Sequence, residues 1–148
     1  MEIARIDPLH PDALLLIAGS EAEQSALYPP EHRYAFSPEE LAASDIRFFL
    51  GHAGATPAAC GGYGHYGEFA ELKRVYVAPE YRGQGWADAL ISACEASARN
   101  EGLALMRLET GDASPAALKV YARLGYARRG PFGAYEENGS SVFMEKAL

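Results

Sequence analysis

The chain has 148 residues, 49% of them hydrophobic, and a formal net charge of −7. That is enough apolar material for one packed core, too little length for two domains of ordinary size, and too apolar for disorder. The acidic balance excludes a nucleic-acid groove, which needs a basic face; it is compatible with a cationic substrate, although acidic surfaces also serve solubility alone.

Met1-Glu2-Ile3 lacks the basic start and apolar stretch of a secretory leader. Glu2 to Ile6 alternates polar and apolar residues, as a first strand does. Pro8 and Pro11 precede a helix predicted from about Asp12 to Leu27, closed by Tyr28-Pro29-Pro30. Its apolar run, Ala13 to Ala18, is far too short to span a bilayer, so a soluble cytoplasmic protein is expected. Glu31 to Phe36 reads as a loop, and Ser37-Pro38-Glu39-Glu40 opens a second helix with an N-cap and proline at N1. Strands follow at Arg47 to Gly51 and Ala58 to Tyr66, joined by a Gly/Pro turn, and at Phe69 to Val77. Cys60 and Cys94 form no Cys-x-x-Cys pair, and no histidine spacing suggests zinc. Two buried thiols in a reducing compartment, and no metal, are expected.

From Gly85 to Asn100, Ala87, Leu90, Ile91, Cys94 and Ala98 recur at helical spacing, with Asp88, Ser92, Glu95 and Arg99 opposite. Glu95 and Arg99 stand as an i,i+4 pair, and Gly102 stops the helix. Leu103 to Thr110 reads as a strand. Ser114-Pro115 opens a fourth helix, with Ala117, Val120, Tyr121 and Leu124 on one face and Gly125 at its end. Tyr126 to Gly130 and Ser141 to Lys146 close the chain as strands. No repeat or linker interrupts it, so residues 1–148 are read as one α/β domain of order β-α-α-β-β-β-α-β-α-β-β, a mixed sheet with helices on both faces.

Between Val75-Tyr76-Val77 and the third helix lies Arg82-Gly83-Gln84-Gly85. The first N–H groups of a helix lack intrahelical partners, and the helix dipole makes that end electropositive. With no side chains at Gly83 and Gly85, an anion can approach those amides closely. A pyrophosphate fits, with Arg82 adding charge. Two better-known phosphate loops fail: Gly-x-Gly-x-x-Gly would end here in Asp88, and Gly-Lys-Ser/Thr is absent. A ligand-free glycine turn accounts for the same residues equally well.

Arg82-x-x-Gly85-x-Ala87, after a strand ending in Val75-Tyr76-Val77, resembles the acyl-CoA loop of the GNAT superfamily of N-acetyltransferases. The resemblance runs over about residues 60 to 146. Leu108-Glu109-Thr110 is similar to the family's next strand, which carries an acid, and Ala116-Ala117-Leu118-x-x-Tyr121-x-x-x-Gly125-Tyr126 to its next helix. Leu108-Glu109-Thr110-Gly111, Pro131-Phe132-x-x-Tyr135, Ser141-Val142-Phe143-Met144 and the early Tyr28-Pro29-Pro30-Glu31 resemble a bacterial subgroup, the YsnE-type acetyltransferases.

The resemblance implies a GNAT fold: a mixed sheet of roughly six to seven strands, about four flanking helices, and a splayed strand pair forming an acyl-CoA cleft. It implies transfer of the acetyl group of acetyl-CoA to a primary amine, on a small molecule or a peptide N-terminus, by direct attack in a ternary complex. The backbone of Val75, Tyr76 and Val77 would pair with the pantetheine arm like an added strand. Arg82, Gly83, Gln84, Gly85, Trp86, Ala87 and Asp88 would hold the pyrophosphate. Asp88 departs from the family's frequent basic residue, and Trp86 from its commoner aliphatic. Ser114 stands where the family often contacts the cofactor, but a Ser-Pro pair is also a plain N-cap.

By the same resemblance Tyr121 is the general acid that protonates the departing thiolate; its ordinary pKa of about 10 keeps it protonated at neutral pH. Periodicity alone makes it a core tyrosine. Glu109 is the candidate general base, with a structural salt bridge to Arg107 as competitor and Glu71 as the second candidate. The acceptor pocket draws on Tyr28, Glu31, Glu71, Phe132 and Tyr135, with Phe36, His65 and Tyr66 as further walls. The alternative is a non-catalytic acyl-CoA-binding sensor, which would need neither Tyr121 nor an acid within reach. No nucleic-acid or membrane partner is expected, and the chain is read as a monomer or homodimer.

Overall fold

The alternation and caps read from the sequence produce seven strands and four helices in a computed structural model that describes residues 1–148. In chain order they are β1 (Glu2–Arg5), α1 (Pro11–Leu27), α2 (Pro38–Ala43), β2 (Arg47–Ala53), β3 (Thr56–His65), β4 (Ala70–Val77), α3 (Trp86–Asn100), β5 (Leu105–Gly111), α4 (Pro115–Arg123), β6 (Ala127–Arg129) and β7 (Ser141–Ala147). They form one sheet of order β1-β2-β3-β4-β5-β7-β6. Every pairing is antiparallel except β4 with β5.

Successive strand residues point to opposite faces, and β2 shows the consequence. Phe48 and Leu50 enter a core with Ala13, Leu16, Ile17 and Leu41 of α1 and α2. Phe49, between them, enters the opposite core with Leu90, Ile91 and Cys94 of α3 and Tyr121 of α4. Helices therefore cover both faces, as the pattern predicts. Cys60 and Cys94 are free and buried, one in each core. Burial pushes both thiols up, Cys60 to about 12, which leaves them protonated and inert. No helix is long and apolar enough to cross a membrane.

The predicted N-cap of α2 and the glycine stops of α3 and α4 hold. The Ser37 hydroxyl accepts from the Glu40 N–H (3.1 Å) and the Glu40 carboxylate accepts from the Ser37 N–H (3.0 Å), a full capping box. Helix α4 ends in a Schellman motif: the Gly125 N–H donates to Ala122 O and the Tyr126 N–H to Tyr121 O, with Gly125 at φ 99° as the motif requires. That closure sets the Tyr126 ring 5.9 Å from the Tyr121 ring. The same closure at Gly102 uses Leu103, whose N–H donates to Ala98 O. Leu103 is thus a helix cap packed into the core, and β5 starts at Leu105 rather than at Leu103 as the sequence suggested.

One expectation fails because the partners lie far off in sequence. Periodicity puts Glu95 on the polar face of α3, yet it is buried. It accepts from Lys146 of β7 (3.0 Å) and from the Tyr126 hydroxyl (2.8 Å), with Arg99 only at 4.0 Å. The loop from Glu31 to Phe36 contains a short 3-10 turn, Pro30–His32, that fixes which of its side chains face inward.

A bulge in β4 places two cations side by side on one face of the sheet. Gly62 pairs with Lys73 and Cys60 with Tyr76, so Gly61 alone opposes both Arg74 and Val75. Arg74 takes φ 56°, a left-handed conformation that costs a non-glycine residue about 1–2 kcal/mol. The extra residue breaks the alternation: Leu72 and Val75 face the core under α3, while Lys73 and Arg74, though adjacent, both reach the α1 side. Bonds from the Arg74 guanidinium to Phe36 O (3.2 Å), Ser20 (3.1 Å) and Glu21 oppose the strain.

Candidate active site

Strands β4 and β5 pair only at Ala70 with Met106 and Glu71 with Arg107. Beyond that point they diverge, and β4 keeps its β3 partner but loses its β5 partner. The gap is a cavity of about 490 Å³ between the free edge at Val75, Tyr76 and Val77 and the α4 residues Ala116, Ala117 and Val120. The turn from Arg82 to Asp88 closes one end. Such a strand edge offers N–H and C=O groups to an extended ligand.

Gly83 and Gly85 take φ 75° and 89°, and Gly85 is the N-cap of α3. No side chain caps that helix, and the first bond from it to the turn is Ala89 N–H onto Gly85 O (3.1 Å). The Trp86 and Ala87 amides thus point out of the helix start without a backbone partner from the turn, at its electropositive end. A Cβ at Gly83 would meet nothing within 4 Å, so these glycines serve backbone conformation rather than space alone.

Charge around the turn is already arranged. The Asp88 carboxylate takes two bonds from Arg123 (2.6 and 2.8 Å), which hold it below the usual range and neutralise it beside the amides. Arg82 donates to Val77 O (2.9 Å) and pairs with Glu23 (2.6 Å), so its charge reaches the cleft already shared. The exposed Gln84 turns its amide to Glu80 O (3.3 Å) and does not line the cleft. Trp86 lines it with one edge, but is buried against Ala58 and Ala59 and beside Tyr81. Ser114 sits at the N-cap position of α4 without making a capping bond, and its residue faces the cleft.

A second cavity, of about 110 Å³, adjoins the first on the α1 side. Val75 and Tyr121 line both. Tyr121 is buried, and burial, reinforced by Cys94 and Glu109, drives its phenol well above the ordinary value, so it stays protonated. Glu109 lines the smaller cavity and accepts from the Ser141 hydroxyl (2.7 Å), which itself accepts from Asn138 (3.0 Å). Burial lifts the Glu109 carboxyl above the usual range, the Ser141 bond opposes the lift, and Glu71 adds to it. Arg107 does not compete for Glu109; it pairs with Glu145 (3.1 Å). Glu71 is differently placed: the Lys73 ammonium (2.9 Å) and the Tyr135 hydroxyl (2.6 Å) both donate to one of its oxygens.

Tyr28 and Tyr135 line this cavity, and the Tyr28 hydroxyl accepts from the Ala113 N–H (2.7 Å). Glu31 does not: the 3-10 turn leaves it exposed and brings His32 and Arg33 inward instead. Phe132 is buried behind the wall, edge-on to Tyr135 at 5.1 Å, and supports it without touching the cavity. His65 is exposed and accepts from the Gly67 N–H (3.1 Å), and the exposed Tyr66 stacks on Phe69. Phe36 stays outside the lining and lays its ring 4.5 Å from the Lys73 ammonium. The lining residues that sequence reasoning misses include Arg33, Lys73, Arg74 and Ser141. A Lys-Arg pair inside an apolar strand is the available signal. No cluster of three or more His, Cys, Asp or Glu is arranged to hold a metal ion.

Comparison with known proteins gives a consistent picture. The family described as "Acetyltransferase (GNAT) family" matches residues 15–126. An IAA acetyltransferase of Azospirillum brasilense is 36% identical over 148 residues, 99% of this chain and 97% of that protein. The uncharacterized N-acetyltransferase YsnE of Bacillus subtilis is 29% identical over 123 residues, 81% of this chain and 82% of its own. A crystal structure from Klebsiella pneumoniae, assigned as an acyl-CoA N-acyltransferase, superposes with a TM-score of 0.82 at 33% identity over 99% of this chain and 97% of that one. The PaiA N-acetyltransferase of Thermoplasma acidophilum, crystallised with coenzyme A, shares the fold at a TM-score of 0.78 and 21% identity, covering 99% and 98%.

Proposed function

The chain belongs to the acetyltransferase (GNAT) family, and from that premise we propose that it moves the acetyl group of acetyl-CoA to a primary amine, on a small molecule or a peptide N-terminus, within a ternary complex. One observation carries the reading: Tyr121 lines both cavities, and Glu109 stands on the wall of the smaller one. A general acid and a general base thus border the passage between a cofactor-sized cleft and a small acceptor chamber.

The residues of the cleft suit coenzyme A. The uncapped start of α3, the left-handed glycines and the neutralised Asp88 favour a pyrophosphate, and the free edge of β4 favours the amides of a pantetheine arm. When bound, acetyl-CoA supplies an activated thioester whose sulfur departs as a thiolate. Tyr121, kept protonated by burial, is the proton donor for that sulfur. Glu109 is the better base of the two carboxylates, because Glu71 already accepts from Lys73 and Tyr135 whereas Glu109 accepts only from Ser141. A carboxyl lifted by burial also takes an ammonium proton more readily. Alignment of amine and thioester across the cavity junction supplies much of the acceleration. Residues 1–148 act as one domain, and two buried, unpaired thiols suit a cytoplasmic site of action.

A thiol-release assay with acetyl-CoA against amino acids, polyamines, aminoglycosides and peptides tests the reading. Release with one acceptor class is expected. Tight CoA binding with no release across the panel would favour the sensor instead, and no CoA binding would sink both.

A further inference from the structure

The smaller cavity is richer in cations than the acidic chain suggests. Arg33, Lys73 and Arg74 line it, against Glu71 and Glu109. Two of the cations are matched: Lys73 bonds Glu71 at 2.9 Å, and Arg74 bonds Glu21, Ser20 and Phe36 O. Glu109 is already engaged by the Ser141 hydroxyl (2.7 Å).

Arg33 is left over. Its Nη1 donates to the Ser25 hydroxyl (2.6 Å) and lies 3.7 Å from Glu21, which Arg74 already engages. Its Nε is a buried polar atom with no hydrogen-bond partner. Burying an N–H without an acceptor is costly, and the cost is relieved if a ligand supplies one. With Nη1 occupied, the unengaged side of the guanidinium is Nε with Nη2, a fork that matches the two oxygens of a carboxylate. The 3-10 turn ends with the Arg33 N–H bonded to Pro30 O (3.2 Å), and Arg33 lines the cavity while Glu31 turns out.

We propose that the acceptor is a small amino acid-like molecule whose carboxylate is held by the free edge of Arg33 while its amine faces Glu109 and Tyr121. The proposal rests on the transfer reading of this site and names its acceptor class. The cavity of about 110 Å³ suits a compact acceptor rather than a bulky aminoglycoside.

The test uses the full chain loaded with CoA and reads binding rather than turnover. N-acetylglycine, N-acetylalanine and N-acetylphenylalanine are titrated beside their primary amides. At least one acid should bind about 10- to 100-fold more tightly than its amide. Arg33→Met should remove that preference, and Arg33→Lys, which keeps the charge but not the fork, should remove most of it. Unchanged CoA affinity in both variants establishes that they are folded. Equal binding of acid and amide, no binding of any acid, or a preference that survives Arg33→Met overturns the proposal. Acids that bind through Arg33 while the parent amines release no thiol would leave the carboxylate site standing and bring down the transfer reading. Amines and amino amides acetylated as readily as amino acids would do the reverse.

Discussion

The two cavities that meet at Tyr121 are made of different material. The larger is built mostly of backbone and side chains from three short stretches: Val75 to Val77, the glycine turn with the start of α3 (Gly83, Gly85 to Asp88), and Ala116, Ala117 and Val120 of α4. The smaller is built of charged and aromatic side chains drawn from far apart, Tyr28, Arg33, Lys73, Glu109 and Tyr135 among them. A helix start and a strand edge offer their amides whatever the side chains are, so the first region depends on local conformation. The second depends on pairing across the molecule. Mutations should therefore fail differently on the two sides.

The largest effect is expected in the side-chain region. Lys73→Met strands the buried Glu71 carboxylate, and losing one partner of such a pair costs about 3 kcal/mol of stability. Urea denaturation should find much of that loss restored in the double variant with Glu71→Met. A single variant as stable as the parent would show that the pair is not held as described. Glu109→Gln is expected to lower turnover roughly 100-fold. Its pH profile carries the sign. The base works deprotonated, and burial raises its pKa, so the rate should climb as pH rises through a value above the ordinary carboxylate range. The variant should lose that acid limb; a limb that persists would point to Glu71. The smallest effect belongs to the backbone region. Gly85→Ala meets only the Met1 methyl at 3.6 Å, so its cost is that of φ 89° alone, about 1 kcal/mol, which becomes up to about five-fold in CoA affinity as the free turn relaxes out of that conformation. Affinity unchanged to within experimental error would detach the turn from the cofactor.

The same contrast explains what could be read from the sequence. Capping boxes, Schellman glycines and strand alternation are local, and Ser37, Gly102, Gly125 and Phe48 to Leu50 behave as their neighbours dictate. The glycine turn is legible for that reason. Asp88 looks awkward beside a phosphate because its partner, Arg123, is a whole helix and strand away. Glu95 looks solvent-facing because Lys146 and Tyr126 come from the other end of the sheet. Arg74 escapes a sequence reading because one extra residue in β4 shifts the phase of the strand, and no periodicity announces a bulge. Glu31 stands in for Arg33 because the two differ only by which way a single turn faces.

In the proposed reaction one side of the junction binds and Tyr121 acts across it. The direct measurement is Tyr121→Phe, read twice on the same preparation: the equilibrium dissociation constant for CoA, and single-turnover acetyl transfer to an accepted amine. A CoA affinity within about two-fold of the parent and a transfer rate down by about 100-fold are expected. A rate equal to the parent's, or a rate and an affinity that fall together, would contradict that reading.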